Sequence, residues 1–329
     1  MNEALEKCVR IGTSGWSYPK GEGRWNGIFY PPKPKNELEL YSQVFNTVEV
    51  NATFYRLIDP QTARVWVANT PKNFEFAIKI WQKFTHPGMF QKATGAEPEI
   101  TQQDYDDFKR GIHPIAEECK LACLLIQFSE WFASTPQHQA TLSTILQQFK
   151  DYPVAVELRH ASWGDRARDT KALLVASGAG WAYIDMPQLK GTIKQELEPQ
   201  RLLYLRFHGR NREKWRQHET AEERYDYLYS EEELKPFAEK VREIVAAGES
   251  KVLIFFNNHV RGQAPANALM LAHQIGLPST ATVRAEFTKA FPAINDAVKE
   301  IQTPEAKRPN QEVLFSAWTP TEADSESCG

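Results

Sequence analysis

An α/β fold, a single (β/α)8 barrel, is predicted by three observations: short apolar runs recur along the chain, helix signals separate most of them, and no dinucleotide-type glycine turn follows any run. The runs are VRIGT (9–13), TVEV (47–50), FEFAIKI (74–80), CLLIQF (123–128), VAVEL (154–158), WAYID (181–185), LLYLRF (202–207) and VLIFF (252–256). Their apolar character is continuous rather than alternating, which suits strands of a parallel sheet buried on both faces. Eight such runs match a closed barrel. A doubly wound open sheet gives the same local alternation, but a dinucleotide site there calls for GxGxxG after a strand. The GTSG turn after the first run lacks the third glycine.

The helices announce their starts. Asp59 before Pro60 sets a capping carboxylate ahead of a residue whose missing N–H costs nothing at the first helical position. Ser134-Thr135-Pro136 repeats the arrangement. Ser230 and Glu233 have capping-box spacing, followed by an apolar stripe through Leu234, Phe237, Val241, Ile244 and Val245. Two long connections, 81–100 and 208–229, interrupt the repeat, and long connections in compact domains are commonly functional. The barrel domain is expected over residues 1–300. Residues 301–329, rich in Pro, Thr, Ser, Glu and Asp, are expected to form a mobile C-terminal tail.

With 42% hydrophobic and 25% charged residues, the 329-residue chain has the composition to bury a large core. A formal charge of -3 offers no overall field for a polyanion, which disfavours wrapping of duplex nucleic acid. In the loop 208–229, Arg210, Arg212, Lys214, Arg216 and Arg224 are matched by Glu213, Glu219, Glu222, Glu223 and Asp226. No apolar run is long enough to cross a bilayer, and the first residues lack a secretory apolar stretch, so a cytoplasmic protein without a membrane partner is expected. Cys8, Cys119, Cys123 and Cys328 show no paired CxxC spacing. No metal cluster is expected from them; Cys119 and Cys123 suit small core residues.

In a barrel, the strand carboxyl ends and the loops after them gather on one face, where such folds carry their sites. The polar residues closing the runs are therefore the candidates. Glu49, Lys79, Glu157 and His208 are candidates for catalysis, because carboxylates, an amine and an imidazole at strand ends can divide acid and base roles. Trp16, Asn51, Tyr55, Gln127, Arg159, Asp185, Arg206, Arg210, Asn257 and Asn258 are candidates for substrate binding. Side chains two apart share a strand face, which pairs Glu49 with Asn51, Glu157 with Arg159, and Arg206 with His208. The same charges also suit structural ion pairs, with Glu157–Arg206 or Glu49–Lys79 as partners. Aromatic residues near the run ends, among them Trp25, Trp131, Trp163 and Trp215, suit either stacking on flat ligands or packing of loops on the rim. Arg206 and Arg210, flanking His208-Gly209, offer an anion site, unless Arg206 is already paired with Glu157 or Asp185.

The motifs IGTSGWSY (11–18), TVEVNATFYR (47–56), VAVELRHASW (154–163), LRFHGR (205–210) and FFNNHVRGQAPANA (255–268) closely resemble the YecE-like family, a domain of unknown function numbered 72. The resemblance spans roughly residues 9–275 and implies a TIM-type barrel without an assigned activity. One departure is the segment IQFSEWF at 126–132, where the family usually carries a glutamine-leucine-proline-proline-like sequence; Gln127 matches. A weaker similarity is to barrel sugar isomerases and epimerases that present Glu, Asp, His and Glu from strands five to eight. Here Glu157, Asp185 and His208 are followed by Asn257 or Asn258, and the lost carboxylate weakens any hold on a hard divalent cation.

These features favour an enzyme that needs no metal or other cofactor and acts on a small polar metabolite, a sugar, nucleoside or phosphorylated derivative, with an anionic ligand within that class. Lys79 could alternatively form a Schiff base with a carbonyl substrate. The competing functions are a metal-dependent sugar isomerase or epimerase and a non-catalytic protein that binds nucleotides or single-stranded nucleic acid. Oligomeric state and reaction are not encoded in these patterns.

Overall fold

The computed structural model describes residues 2–21, 23–248, 250–278 and 281–301. The expected tail lies, from residue 302 onward, outside the described residues. Among the described residues nine strands form two parallel sheets: β1 (Val9–Thr13), β2 (Thr47–Val50), β3 (Glu75–Lys79), β4 (Leu121–Gln127), β5 (Val154–Glu157), β6 (Gly180–Trp181), β7 (Tyr183–Asp185), β8 (Leu202–Phe207) and β9 (Lys251–Phe256). The order is β1-β9-β8-β7 in one sheet and β2-β3-β4-β5-β6 in the other. A separate short parallel pair joins Thr282–Arg284 to Lys299–Ile301.

The two sheets meet at both ends. After β1, Ser14 bridges Glu49 in parallel, the Ser14 N–H donates to the Phe256 carbonyl at 2.9 Å, and the Gly15 N–H donates to the Glu49 carbonyl at 2.8 Å. At the other end the sixth run divides at Ala182 into β6 and β7. The division has a local cause: two glutamine side chains occupy backbone groups that an adjacent strand would otherwise pair. Gln200 accepts from the Trp181 N–H at 2.7 Å and donates to the Trp181 carbonyl at 3.0 Å. Gln195 does the same for the Ile184 N–H and the Ala182 carbonyl.

The caps form largely where the sequence places them. Asp59 accepts from the Gln61 N–H at 2.7 Å ahead of helix Pro60–Ala68. Thr135, rather than Ser134, caps Pro136–Gln148, while the Ser134 hydroxyl accepts from Gln139. Ser230 and Glu233 complete a capping box on Glu231–Ala247, which buries Leu234, Ala238, Val241, Ile244 and Val245. The connection 81–100 departs from an irregular loop: it holds helices Gln82–Thr85 and Pro87–Thr94, each anchored by a buried phenylalanine, Phe84 and Phe90. Cys123 is a core residue, but Cys119 is exposed at a left-handed turn (φ 55°) after helix Gln102–Glu117.

Both faces of the strands are covered. The larger core lies between strands and helices and includes Ile11, Val48, Phe76, Leu124, Val156, Phe207 and Ile254. A second cluster comprises Ala77, Ala122, Cys123, Leu125, Ala155, Ala182, Tyr204, Leu253 and Phe255. It draws on both sheets, and its many small residues leave room for Tyr204 and the charged side chains above it.

Candidate functional site

Strand β8 sets the geometry. Tyr204, Arg206 and His208 are spaced two apart, so extended backbone directs all three to one face. Tyr204 donates its hydroxyl to Glu49 Oε2 at 2.7 Å. Arg206 spans two carboxylates, with Nη2 2.6 Å from Glu49 Oε1 and Nη1 2.5 Å from Glu157 Oε2. The same Nη1 donates to Gln127 Oε1 at 3.1 Å. Arg159 Nε closes on Glu157 Oε1 at 2.6 Å. His208 Nε2 is 3.9 Å from Glu157 Oε1, and its Nδ1 is 3.0 Å from the Asn257 amide nitrogen. His208 Nε2 also lies 3.4 Å from Arg159 Nη2 and 3.5 Å from Arg206 Nη1, so donors face both ring nitrogens, an environment that disfavours the imidazolium.

Two guanidinium groups thus face two carboxylates in a buried cluster, the arrangement that makes ions tolerable away from water. Burial alone would raise the Glu49 and Glu157 carboxyls. Arg206 overcomes this at Glu49, and Arg159 with Arg206 holds Glu157 well below the usual carboxylate range. Burial, reinforced by Arg206, lowers His208 to about 4, so its imidazole is neutral. The four charges balance without any further proton.

Above this floor opens a cleft of ≈ 1710 Å³. Trp16, Asn51, Tyr55, Lys79, Gln127, Arg159, Arg206 and Asn257 line it. Glu49, Glu157 and His208 are fully buried and do not line it; they hold the floor from beneath. Register explains the layering: Glu49 pairs with Ala77, so Lys79 stands two residues further along β3 and reaches the cleft. Lys79 Nζ lies 3.7 Å from the centroid of the Phe54 ring, with no hydrogen-bond partner among the described residues. Only 8% of the residue is exposed. Burial, then the nearby Arg206, lowers its amine to about 7.

The walls are aromatic. Tyr18 stacks on His259 at 4.4 Å, Tyr225 lines the wall, the buried Trp215 backs it from within, and the strongly exposed Trp131 (88%) stands at the opening. Trp25 and Trp163 are core residues instead. His86, in a helical connection where no periodicity pointed to it, also lines the cleft, and its ring meets Phe54 edge-on at 5.1 Å. Burial, then Lys79, lowers His86 to about 4. Tyr204 is a second unforeseen participant.

Asp185 and Arg210 stand apart from the cleft. Arg210 grips Asp185 through Nε at 2.9 Å and Nη2 at 2.7 Å, and reaches Glu233 through Nη1 at 3.1 Å. Tyr229 donates to Asp185 Oδ1 at 2.7 Å and accepts from the Gly209 N–H at 2.9 Å. The anion site expected between Arg206 and Arg210 is therefore occupied by the protein's own carboxylates. The close approach permitted by Gly209 is taken by Tyr227, because a Cβ there would lie 2.7 Å from the Tyr227 Cβ. Asn258 is buried and donates to the Tyr227 carbonyl at 2.7 Å. Asp185 does not join Glu157 and His208, and among the described residues no group of three His, Cys, Asp or Glu side chains is arranged to hold a metal ion.

These features define a parallel α/β protein with a charge-balanced buried floor beneath an aromatic-walled cleft. Over residues 10–291 the chain matches the family described as "Protein of unknown function DUF72", and it belongs to that family. It is 31% identical over 271 residues to the UPF0759 protein YunF of Bacillus subtilis (strain 168), covering 79% of this chain and 92% of that one. A crystal structure of a DUF72 family protein from Thermotoga maritima MSB8 is similar at 35% identity and a TM-score of 0.70, covering 82% of this chain and 99% of that chain. One from Enterococcus faecalis V583 is similar at 26% identity with the same TM-score, covering 82% and 96%. Among the described residues no helix is long and apolar enough to cross a membrane.

Proposed function

We propose that this chain is a cytoplasmic enzyme on a closed (β/α)8 barrel that performs acid–base chemistry, without a metal, on a small polar metabolite bound in the cleft: a sugar, nucleoside or phosphorylated derivative. Closure is supported by the Ser14–Glu49 bridge at one meeting of the sheets, the single-residue gap at Ala182 at the other, and an inner cluster drawn from both. Lys79 carries the functional reading. It is an amine at a strand end, nearly buried, facing the cleft, without a hydrogen-bond partner among the described residues and lowered to about 7, where an amine exchanges protons readily. Arg159, Gln127 and Asn257 offer donors and acceptors beside it, and the aromatic walls suit flat or ring-shaped ligands. Glu49, Glu157 and His208 act through Arg206 and Arg159, fixing the floor.

Melting temperature against a panel of sugars, nucleosides and their phosphates tests this, because a ligand of the native state must raise it. One class is expected to stabilise the chain and to lose that effect in Gln127→Ala. No stabilisation by any class at millimolar concentration would overturn the reading. A second reading, binding of a nucleotide or single strand, is favoured by Lys190, Arg216 and Arg224, which line the same cleft as the exposed Trp131. Affinity falling steeply with salt would select it.

A further inference from the structure

We infer that Lys79 is a nucleophile toward carbonyl compounds, its Nζ condensing with an aldehyde or ketone group of the metabolite in the cleft to form a protonated imine. The inference rests on the proposed metabolite site and names the reactive group its ligand carries.

Three placements support it. Lys79 Nζ lines the cleft with the Phe54 ring 3.7 Å away, a cation–π contact and not a hydrogen bond, so no acceptor among the described residues ties the amine down. The carboxylates that would otherwise claim an ammonium are taken: Glu49 by Arg206 and Tyr204, Glu157 by Arg159 and Arg206. A lysine left outside a balanced set of charges is easily neutral, and a neutral amine is the attacking species. Finally, His86 packs edge-on against the same Phe54 ring and lines the same wall, a neutral imidazole that can relay protons.

The chemistry balances. The Nζ lone pair attacks the carbonyl carbon, a C–N bond forms, and the carbonyl π pair moves to oxygen, which takes a proton while nitrogen gives one up and regains its lone pair. The resulting carbinolamine oxygen takes a second proton and leaves as water while nitrogen supplies the pair for the C=N bond. One ammonium-equivalent charge is gained overall, for the net uptake of one proton. Arg159, Gln127 and Asn257 line the region where the carbonyl oxygen and neighbouring hydroxyls would lie. The imine withdraws electrons from the adjacent carbon, which makes a proton or a carbon–carbon bond there easier to remove.

The full chain would be incubated at pH 7 with limiting D-glyceraldehyde and sodium cyanoborohydride, which delivers hydride to the imine carbon and leaves a stable secondary amine. Peptide mapping by mass spectrometry is expected to find Lys79 modified at least tenfold faster than any other lysine. The adduct at this position should disappear in Lys79→Met and Lys79→Arg, the second keeping a positive charge should the first fail to fold. Modification spread evenly over the lysines, or a dominant adduct elsewhere, overturns the inference. Competitive acetylation across pH separates it from the wider reading: an amine titrating near 7 that traps no carbonyl removes the imine alone, whereas ordinary titration of Lys79 removes both.

Discussion

Glu157 Oε2 and Arg206 Nη1 lie 2.5 Å apart, with neither side chain more than 2% exposed. Removing the acid leaves Arg206 and Arg159 buried beside a missing counter-charge. Glu157→Ala is therefore expected to cost about 3–5 kcal/mol, the range for breaking a buried pair from one side. Lys214→Ala breaks a 2.8 Å pair with Glu223 in which the lysine side chain is 48% exposed, and should leave the melting temperature unchanged. Equal melting temperatures for the two variants would remove Glu157 from the cluster.

Lys79 should imprint a basic limb on stability. Its folded value, about 7, lies below the unfolded value of roughly 10.4. Between the two, the unfolded chain holds a proton that the native chain lacks, so stability rises with pH across that window. Below 7 both states hold the proton and the burial cost is present in full. Lys79→Met should therefore be more stable than the parent at pH 6 by a few kcal/mol, since each tenfold loss of proton affinity on folding is worth ~1.4 kcal/mol. The variant should also lose the rise between pH 7 and 9.5. Urea denaturation at several pH values reads this directly, and parallel curves for the two proteins would contradict it.

The acid limb belongs to His208 and His86, both held at about 4 against roughly 6.5 when unfolded. As pH falls through that interval the unfolded chain gains protons first, so stability declines from pH 6.5 toward 4. Glu49 and Glu157, lowered in the native state, extend the loss to lower pH. In NMR the imidazole carbon-bound protons of His208 should stay at neutral-form shifts down to about pH 5. A midpoint near 6.5 would mean that Arg206 and Arg159 do not press on the ring.

Gly209 has φ +87°, and an added Cβ would stand 2.7 Å from the Tyr227 Cβ. Gly178 has φ +68° with no atom within 4 Å of such a Cβ. Alanine at either position pays for a left-handed backbone, about 1 kcal/mol or more, but only at 209 does it also collide. Gly209→Ala should therefore lower the melting temperature distinctly further than Gly178→Ala. Equal effects would show that Tyr227 yields.

The strands were legible because burial on both faces strips polar residues from a run and leaves them at its end. That signal found Glu49, Glu157, Arg206 and Asn257 alike. It carried no depth: whether a strand-end residue faces the cleft or lies beneath it depends on register between strands, and Glu49 opposite Ala77 sits a layer below Lys79. Tyr204 could have been found by extending the two-residue spacing back from His208 and Arg206, but a tyrosine inside an apolar run reads as core. His86 had no such trace, because helices Gln82–Thr85 and Pro87–Thr94 bring it to Phe54 only through folding. Asp185 and Arg210 were both visible. Their mutual grip was not, since Tyr229 and Glu233 complete it from a later segment.

The bond from Arg206 to Glu49 joins residues 157 positions apart. On a growing chain Glu49 emerges long before Arg206, and Glu157 has only Arg159 beside it until then; an acid in an apolar interior without its full set of partners is costly. Strands β2 to β5 are thus discouraged from closing around Glu49 and Glu157 until β8 arrives. Assembly waits for β8, and a fragment ending before residue 206 should expose its apolar strands and depend on chaperones or aggregate.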